Sequence, residues 1–372
     1  MTDTADGTKH PPRSGSSFFR SGPDDPDALR LHLNESAHGP PPAAVAAVSE
    51  EAARALERYP DSAYDTLRRA LAHHFRVAPE MVAVGNGVDE LVLLTALATA
   101  RDAGARVTTT TGTFPGYAAS AATVGAPLHT LPTVGHAVPV PAAAAVLAAH
   151  TGPVFVCNPL NPTGALLDGG QVGQLLAAAE DAPGTLVMDE AYLDFAPPGS
   201  HHALAAVREG ARALVLRTFS KAWGLASVRA GCAVGPPELI ARLDAAARAL
   251  PFRVGRPAQR AVLAALADPG HLTHVREATA RARARLVAGL AAIGVDCPPS
   301  AANFVMAEVG GDSAAVAERL AAEHRVVVRD LGLLGLPGHL RITVGTEEQV
   351  DRCVAALTAV LAGSRTAAGA VR

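Results

Sequence analysis

The chain is almost without lysine. Of its 32 lysines and arginines only Lys9 and Lys221 are lysine, and Lys9 stands in the ragged opening "MTDTADGTKHPPRSGS". Arginine can carry charge and pair with carboxylates, but its guanidinium stays protonated and forms no Schiff base. Other things are scarce too. The longest apolar run, "LVLLTALATA" at 91–100, ends at Arg101 and is too short to span a bilayer. The opening has no apolar core, so it does not read as a secretory signal. A net charge of −3 leaves no basic field for nucleic acid or an anionic membrane. Cys157, Cys232, Cys297 and Cys353 lie far apart with no CxxC pair, which predicts a reduced, cytoplasmic protein. There is no GxxxxGK[ST], no HExxH and no GxGxxG after a strand, so the common NTPase, zincin and dinucleotide signals are missing. His73–His74 and His201–His202 are adjacent pairs that would diverge on a helix or strand, so no metal site is expected.

What is present is alternation. "MVAVG" (81–85), "RVTTT" (106–110), "PLHTL" (127–131), "PVFVC" (153–157), "TLVMD" (185–189), "ALVLR" (213–217) and "GCAVG" (231–235) read as strands. Several are apolar on both faces, as parallel strands covered by helices should be. Helix-like stretches at 88–101, 140–149 and 168–181 lie between them. The pattern predicts an α/β fold, a doubly wound and mostly parallel seven-stranded sheet with ligands at the carboxyl ends of its strands. After residue 250 the texture changes to one long helical region (256–293), "ANFVMAEV", a helix at 312–323, "RVVVRD", "HLRITVG" and a final helix from 346. That predicts a smaller α+β domain. The expected organisation is a flexible arm (1–36), a large domain (37–250) and a small domain (251–372). "RARAR" at 281–285 reads as a solvated helix face.

Several strand-end loops carry unusual polar residues. "GNGVDE" (85–90) leaves a strand and opens a helix, whose free N–H groups suit a phosphate. "NPLNPTG" (158–164) has two Asn-Pro steps, which fix an extended loop with outward-pointing side chains. "VMDEAYLDF" (187–195) ends a strand on Asp189, with Tyr192 three residues on. An acid there could ligate a metal, act as a base or face a cationic ring nitrogen. "RTFSKAWGLASVRAG" (217–231) holds Lys221, the amine that covalent carbonyl chemistry needs.

In order and spacing these motifs resemble the fold-type I pyridoxal-phosphate aminotransferases, from about residue 30 to 362. "VVVRD…LRITVGTEEQ" is most like the histidinol-phosphate aminotransferase group within them. The resemblance implies that Lys221 is the Schiff-base lysine and then the general base. It implies that Asp189 holds the pyridine nitrogen protonated, that Asn161 and Tyr192 bond the ring oxygen, and that Phe114 stacks on the ring. The phosphate would fall to Gly87, Val88, Asp89, Ser220 and Arg229, with Tyr59 of "RYPD" reaching the neighbouring subunit's site in a homodimer. Arg341 would grip a carboxylate and Arg329 would read the distal group. Asn34 and Glu35 would close over the site. The resemblance also implies an amino donor and a 2-oxo acid acceptor. The family tends to carry a further tyrosine upstream of Asn34, where residues 1–33 have none and Phe18 and Phe19 offer no hydroxyl. Four readings stay open: the histidine-pathway enzyme, a relative serving an aromatic, cationic or specialised amino acid, a lyase such as a phosphothreonine decarboxylase, and, last, a non-catalytic module that binds pyridoxal phosphate. The Ala/Leu/Val-rich helix at 88–101 is expected to contribute to the dimer interface.

Overall fold

A computed structural model of the chain describes residues 27–100, 104–200 and 202–369. Lys9, Phe18, Phe19, His201 and the first 26 residues of the expected arm lie outside them. The strands in chain order are β1 (Leu29–Arg30), β2 (Val82–Gly85), β3 (Val107–Thr110), β4 (Leu128–Leu131), β5 (Gly152–Cys157), β6 (Gly184–Asp189), β7 (Ala213–Thr218), β8 (Gly231–Val234), β9 (Phe304–Glu308), β10 (Val326–Val327), β11 (Arg329–Asp330) and β12 (His339–Thr343).

Seven of them form the central sheet, in the order β2-β8-β7-β6-β5-β3-β4. Only β8 runs against its neighbours. Period-two geometry sorts each strand between two cores. Val154, Val156, Leu186, Met188 and Val215 enter one helix-covered layer, while Phe155, Val187, Leu214 and Leu216 enter the other. Phe155 is 1% exposed, so truncating it to alanine would cost about 3–5 kcal/mol through lost burial and a cavity. After β3 and β4 the chain returns to place β5 on the other side of β3, beside β6. That reversal opens a crevice at the carboxyl ends of β3 and β5, the usual ligand position in such sheets.

Local chemistry sets the helix boundaries. The helix Gly169–Ala179 begins at a capping box: Asp168 accepts from Gln171 N at 2.8 Å, and Gln171 Oε1 accepts from Asp168 N at 3.0 Å. The expected single helical region at 256–293 is two helices, Arg256–Leu266 and His271–Ala292. Between them Pro269 has no N–H to donate, and Asp268 accepts from Gly270 N (3.1 Å) and His271 N (3.2 Å). The first of the two packs on the helix Pro42–Arg54 and sinks Ala258, Ala261, Val262 and Ala265 into the large layer's core. This helix thus packs with the large layer although it lies past the expected boundary at 250.

"RVVVRD" is also two pieces. β10 pairs with β1, while β11 pairs with β12 in the three-stranded antiparallel sheet β11-β12-β9. Residues 27–36 form a packed strap, not a loose arm: β1 runs parallel to β10, and Leu29 and Leu31 are buried in the small layer's core. The helix Gly87–Thr99 packs within its own chain against Gly116–Val124 and Pro237–Ala246. Arg283, in "RARAR", donates to Ala302 O at 2.6 Å, so that stretch is only partly a solvated face.

Candidate active site

The crevice widens into a cavity of about 510 Å³. Its lining includes Asn34, Val88, Asp89, Phe114, Asn161, Asp189, Tyr192, Ser220, Lys221, Arg229, Arg329 and Arg341. Three expected residues stand off it. Gly87 backs the site, Glu35 turns to Arg30 (3.8 Å), and Tyr59 is 77% exposed and stacked on Phe252 at 4.7 Å.

Lys221 follows β7 in a tight loop closed by Gly224 N donating to Lys221 O at 3.0 Å. Gly224 has φ +67°, and a side chain there would strike the backbone of Gly39. The Lys221 ammonium donates to Leu33 O at 2.9 Å. Burial, reinforced by the Arg341 charge, lowers its pKa to about 8, so a useful fraction of the amine is free near neutral pH. Asp189 ends β6, 3% exposed. Its Oδ2 accepts from Tyr117 OH at 2.6 Å and its Oδ1 from Ala191 N at 3.1 Å. Burial outweighs these bonds and lifts the carboxyl to about 6. No cation pairs with it among the described residues.

The loop after β5 is enclosed throughout. Asn158–Pro159 and Asn161–Pro162 are both cis, Asn158 accepts from Leu167 N (2.9 Å), and Asn161 turns into the cavity. These side chains point inward, contrary to expectation: Arg341 holds Asn161, and Ala301 N donates to Gly164 O at 2.9 Å over the loop. Asn161 Oδ1 accepts from Arg341 Nη1 at 2.6 Å, and His32 O accepts from Nη2 at 2.7 Å. Nε of this 3%-exposed guanidinium has no partner among the described residues, and burial lowers its pKa to about 10. A buried guanidinium held only by neutral acceptors invites an anion. Arg329 lines the same space, and its charge opposes that of Arg341.

At the other strand ends, the helix Gly87–Thr99 presents its first N–H groups. Arg229 donates to Ser220 Oγ at 3.2 Å and pairs with Asp89. Gly87 takes φ +73°, which strains any other residue, and a Cβ there would also press on this guanidinium. Arg229 and Asn34 both take positive φ (57° and 56°), strain of the kind that gathers at functional sites. Asn34 Nδ2 donates to Tyr192 OH at 3.1 Å, a bond that does not use the phenol's own proton.

Leu33, Cys157, Ala191, Thr218 and Tyr117 are the site residues that sequence reasoning missed. Tyr117 had left a signal: one of only four tyrosines, it stands one helical turn after Phe114.

A doubly wound sheet whose strand ends gather an amine of lowered pKa, a buried unpaired carboxylate and a cationic cradle defines an enzyme of the fold-type I pyridoxal-phosphate class. The chain belongs to the class I and II aminotransferases, whose family model, "Aminotransferase class I and II", matches residues 26–357. It is 36% identical over 343 residues to histidinol-phosphate aminotransferase 2 of Ralstonia nicotianae, covering 91% of this chain and 90% of that one. It is 35% identical over 339 residues to an aromatic amino acid aminotransferase of Mycobacteroides abscessus, covering 90% and 93%. The crystal structure of histidinol-phosphate aminotransferase from Sinorhizobium meliloti in complex with pyridoxal-5'-phosphate superposes with a TM-score of 0.82 at 30% identity, covering 90% of this chain and 91% of that one. The protein is thus an aminotransferase, histidinol-phosphate aminotransferase-like in sequence. No helix among the described residues is long and apolar enough to cross a membrane.

Proposed function

We propose that this enzyme uses pyridoxal 5'-phosphate to move an amino group from an anionic amine donor, histidinol phosphate first among them, to a 2-oxo acid. One observation carries the reading: the only lysine among the described residues shares a cavity with a buried carboxylate that lacks a cation and with three guanidiniums, those of Arg229, Arg329 and Arg341. The residues fit the cofactor. Asp189 offers an acid to a ring nitrogen, and the Gly87–Arg229 approach offers a cradle to a phosphate.

When bound, the cofactor supplies a conjugated pyridine ring that accepts the electron pair of a substrate C–H bond. Lys221 Nζ would hold its carbonyl carbon and, once displaced by the donor's amine, carry the proton from carbon. Asp189 would keep the ring nitrogen protonated. Asn161 commits Oδ1 to Arg341, which leaves its Nδ2 to donate to the ring oxygen beside the Tyr192 hydroxyl. Phe114 would cover the ring face. The N–H groups of Gly87, Val88 and Asp89, with Ser220 and Arg229, would hold the phosphate. Tyr59, turned away from its own cavity, would serve the partner subunit of a homodimer. Arg341 and Arg329 would take the donor's anion, and Asn34, with Glu35 beside it, would close that end. Four free cysteines support a reduced, cytoplasmic setting.

A second reading, an aromatic amino acid as donor, is favoured by the Mycobacteroides relative and by the absence of tyrosine before Asn34. The relatives' names support transfer over decarboxylation. Presenting the cofactor-loaded enzyme with histidinol phosphate, phenylalanine, tyrosine, lysine and phosphothreonine, and following loss of pyridoxal phosphate to pyridoxamine phosphate, separates these readings. The highest kcat/KM is expected for histidinol phosphate. Faster conversion of an aromatic amino acid selects the second reading, and no conversion by any donor sinks both.

A further inference from the structure

Tyr117 is wholly enclosed, in the first turn of the helix Gly116–Val124. Its ring lies flat on Phe155 of β5 (centroids 4.8 Å apart, planes at 14°) and meets Phe114 edge-on (5.3 Å, 83°). Its hydroxyl donates to Asp189 Oδ2 at 2.6 Å and is also in hydrogen-bond contact with the Cys157 thiol. A buried phenol with an unmet hydroxyl is costly, so this apolar sheath fixes the direction of the bond.

The titratable groups facing Asp189 are few. Tyr117 comes from that helix, Cys157 from the end of β5, Tyr192 from the turn after β6, and Asp89 from the helix Gly87–Thr99. None is a cation. Desolvation and the Asp89 charge both favour a neutral Asp189, while the Tyr117 hydroxyl and the Ala191 amide oppose them.

We propose that Tyr117 is a positioning residue whose hydroxyl keeps Asp189 an aimed carboxylate, ready for the cofactor's ring nitrogen, while its ring seats Phe114. The proposal rests on the cofactor reading for what Asp189 meets, but the hydroxyl's hold on Asp189 is a property of the free protein. A neutral Asp189 would itself be a hydrogen-bond donor and could not keep a pyridinium charged. The hydroxyl thus ties a residue that touches no cofactor to the charge state of one that would.

The test is Tyr117→Phe, which keeps both ring contacts and removes only the oxygen. In the cofactor-free protein, the protonated-carboxyl infrared band of Asp189 is titrated, with Asp189→Asn as the subtraction. The midpoint should rise by roughly one to two pH units, the size expected for losing a hydrogen bond to a charged group. Pyridoxal phosphate affinity should weaken about tenfold at pH 7 and return towards wild type by pH 9. An unmoved midpoint, with affinity weakened equally at every pH, would mean a merely structural tyrosine and overturns the proposal. If wild type fails to take up pyridoxal phosphate the cofactor reading falls instead, and the infrared midpoint still decides what Tyr117 does to Asp189.

Discussion

Asp189, Asn161, Phe114 and Lys221 stand at or just beyond the carboxyl ends of β6, β5, β3 and β7, whereas Arg341, Arg329 and Asn34 reach the same cavity from the small sheet and the strap. The first wall is stiff. Its strands are locked in register, Cys157 opposite Asp189 and Asp189 opposite Leu216, with a core on each face. The second wall is assembled from remote pieces. Asn34 is tied by its N–H to Thr343 Oγ1 (3.0 Å) and by its carbonyl to Asn303 Nδ2 (3.1 Å), and Arg341 bridges to Asn161. Under the proposed roles the contrast teaches a division of labour: bond-making groups would sit on a fixed frame, while groups that would read a donor's anion sit on a wall assembled separately. This matches relatives at similar identity that are named for different donors.

The largest effect should come from the stiff wall. Lys221→Ala should lower the transamination rate by roughly four orders of magnitude and abolish the borohydride-reducible adduct. Mass spectrometry of the reduced protein checks this. An adduct that persists would have to sit on Lys9, the one other lysine, and would end the assignment.

Asp189→Asn should leave pyridoxal phosphate bound, though about tenfold more weakly, and slow the half-reaction by about a thousandfold, because an amide cannot stabilise a protonated ring. The same change should stabilise the cofactor-free protein. The Asp189 carboxyl is raised from 3.8 to about 6 by burial, so the folded state holds the proton more tightly than the unfolded state. Ionised Asp189 therefore costs stability above about pH 6, and that cost vanishes as the pH falls towards 3.8. The variant should gain about 3 kcal/mol at pH 7 and little near pH 4, measured by urea unfolding across pH.

Arg341→Lys probes the assembled wall and should have a smaller, differently shaped effect. An ammonium cannot bond Asn161 Oδ1, His32 O and an incoming anion with the same fork, so the donor's KM should rise roughly 10- to 100-fold. The first half-reaction at saturation should stay within about threefold of wild type. If kcat and kcat/KM fall together instead, the two walls are not separable.

How much of this was legible follows the same divide. The strand ends were readable because buried parallel strands are apolar on both faces and the motifs at their ends are contiguous: all seven strands fell within about two residues of their places. The tie between Asn34 and Thr343 spans 309 residues, and no local pattern announces it. The division of "RVVVRD" between two sheets and the docking of Arg256–Leu266 on the large layer were hidden for the same reason, since tertiary pairing decides them. The break at "DPG" (268–270), by contrast, was plainly written and was overridden by the helical texture on either side.

Tyr59 tests whether a third wall exists, supplied by a second chain. Its ring is 77% exposed and stacks on Phe252, itself 45% exposed, so one subunit presents a phenol that its own cavity does not use. In a two-fold dimer that hydroxyl would reach the partner's phosphate, and each site would be complete only when paired. A single neutral hydrogen bond is modest, so Tyr59→Phe should weaken cofactor binding by about 1 kcal/mol, roughly fivefold, the smallest effect of the series. Subunit mixing reads the geometry more sharply than affinity does. Tyr59→Ala–Arg229→Ala and Lys221→Ala homodimers should both be inactive. In a mixed dimer, the site of the Lys221→Ala chain lacks its lysine, its own Arg229 remains, and it would look to the other chain for a tyrosine that is missing. The other site keeps Lys221 and receives a native Tyr59 from its partner, but lacks Arg229, so this pair should recover little. Moving the arginine change onto the lysine variant reverses that outcome. Mixing Tyr59→Ala with Lys221→Ala–Arg229→Ala leaves one site with native Lys221 and Arg229 and a borrowed tyrosine. With random exchange, half of the dimers are mixed and each has one restored site, so the cofactor affinity of that site should return to wild type in about a quarter of all sites. Equilibrium titration with pyridoxal phosphate after verified exchange would show this tight fraction, and its absence would leave Tyr59 as a surface residue of one chain.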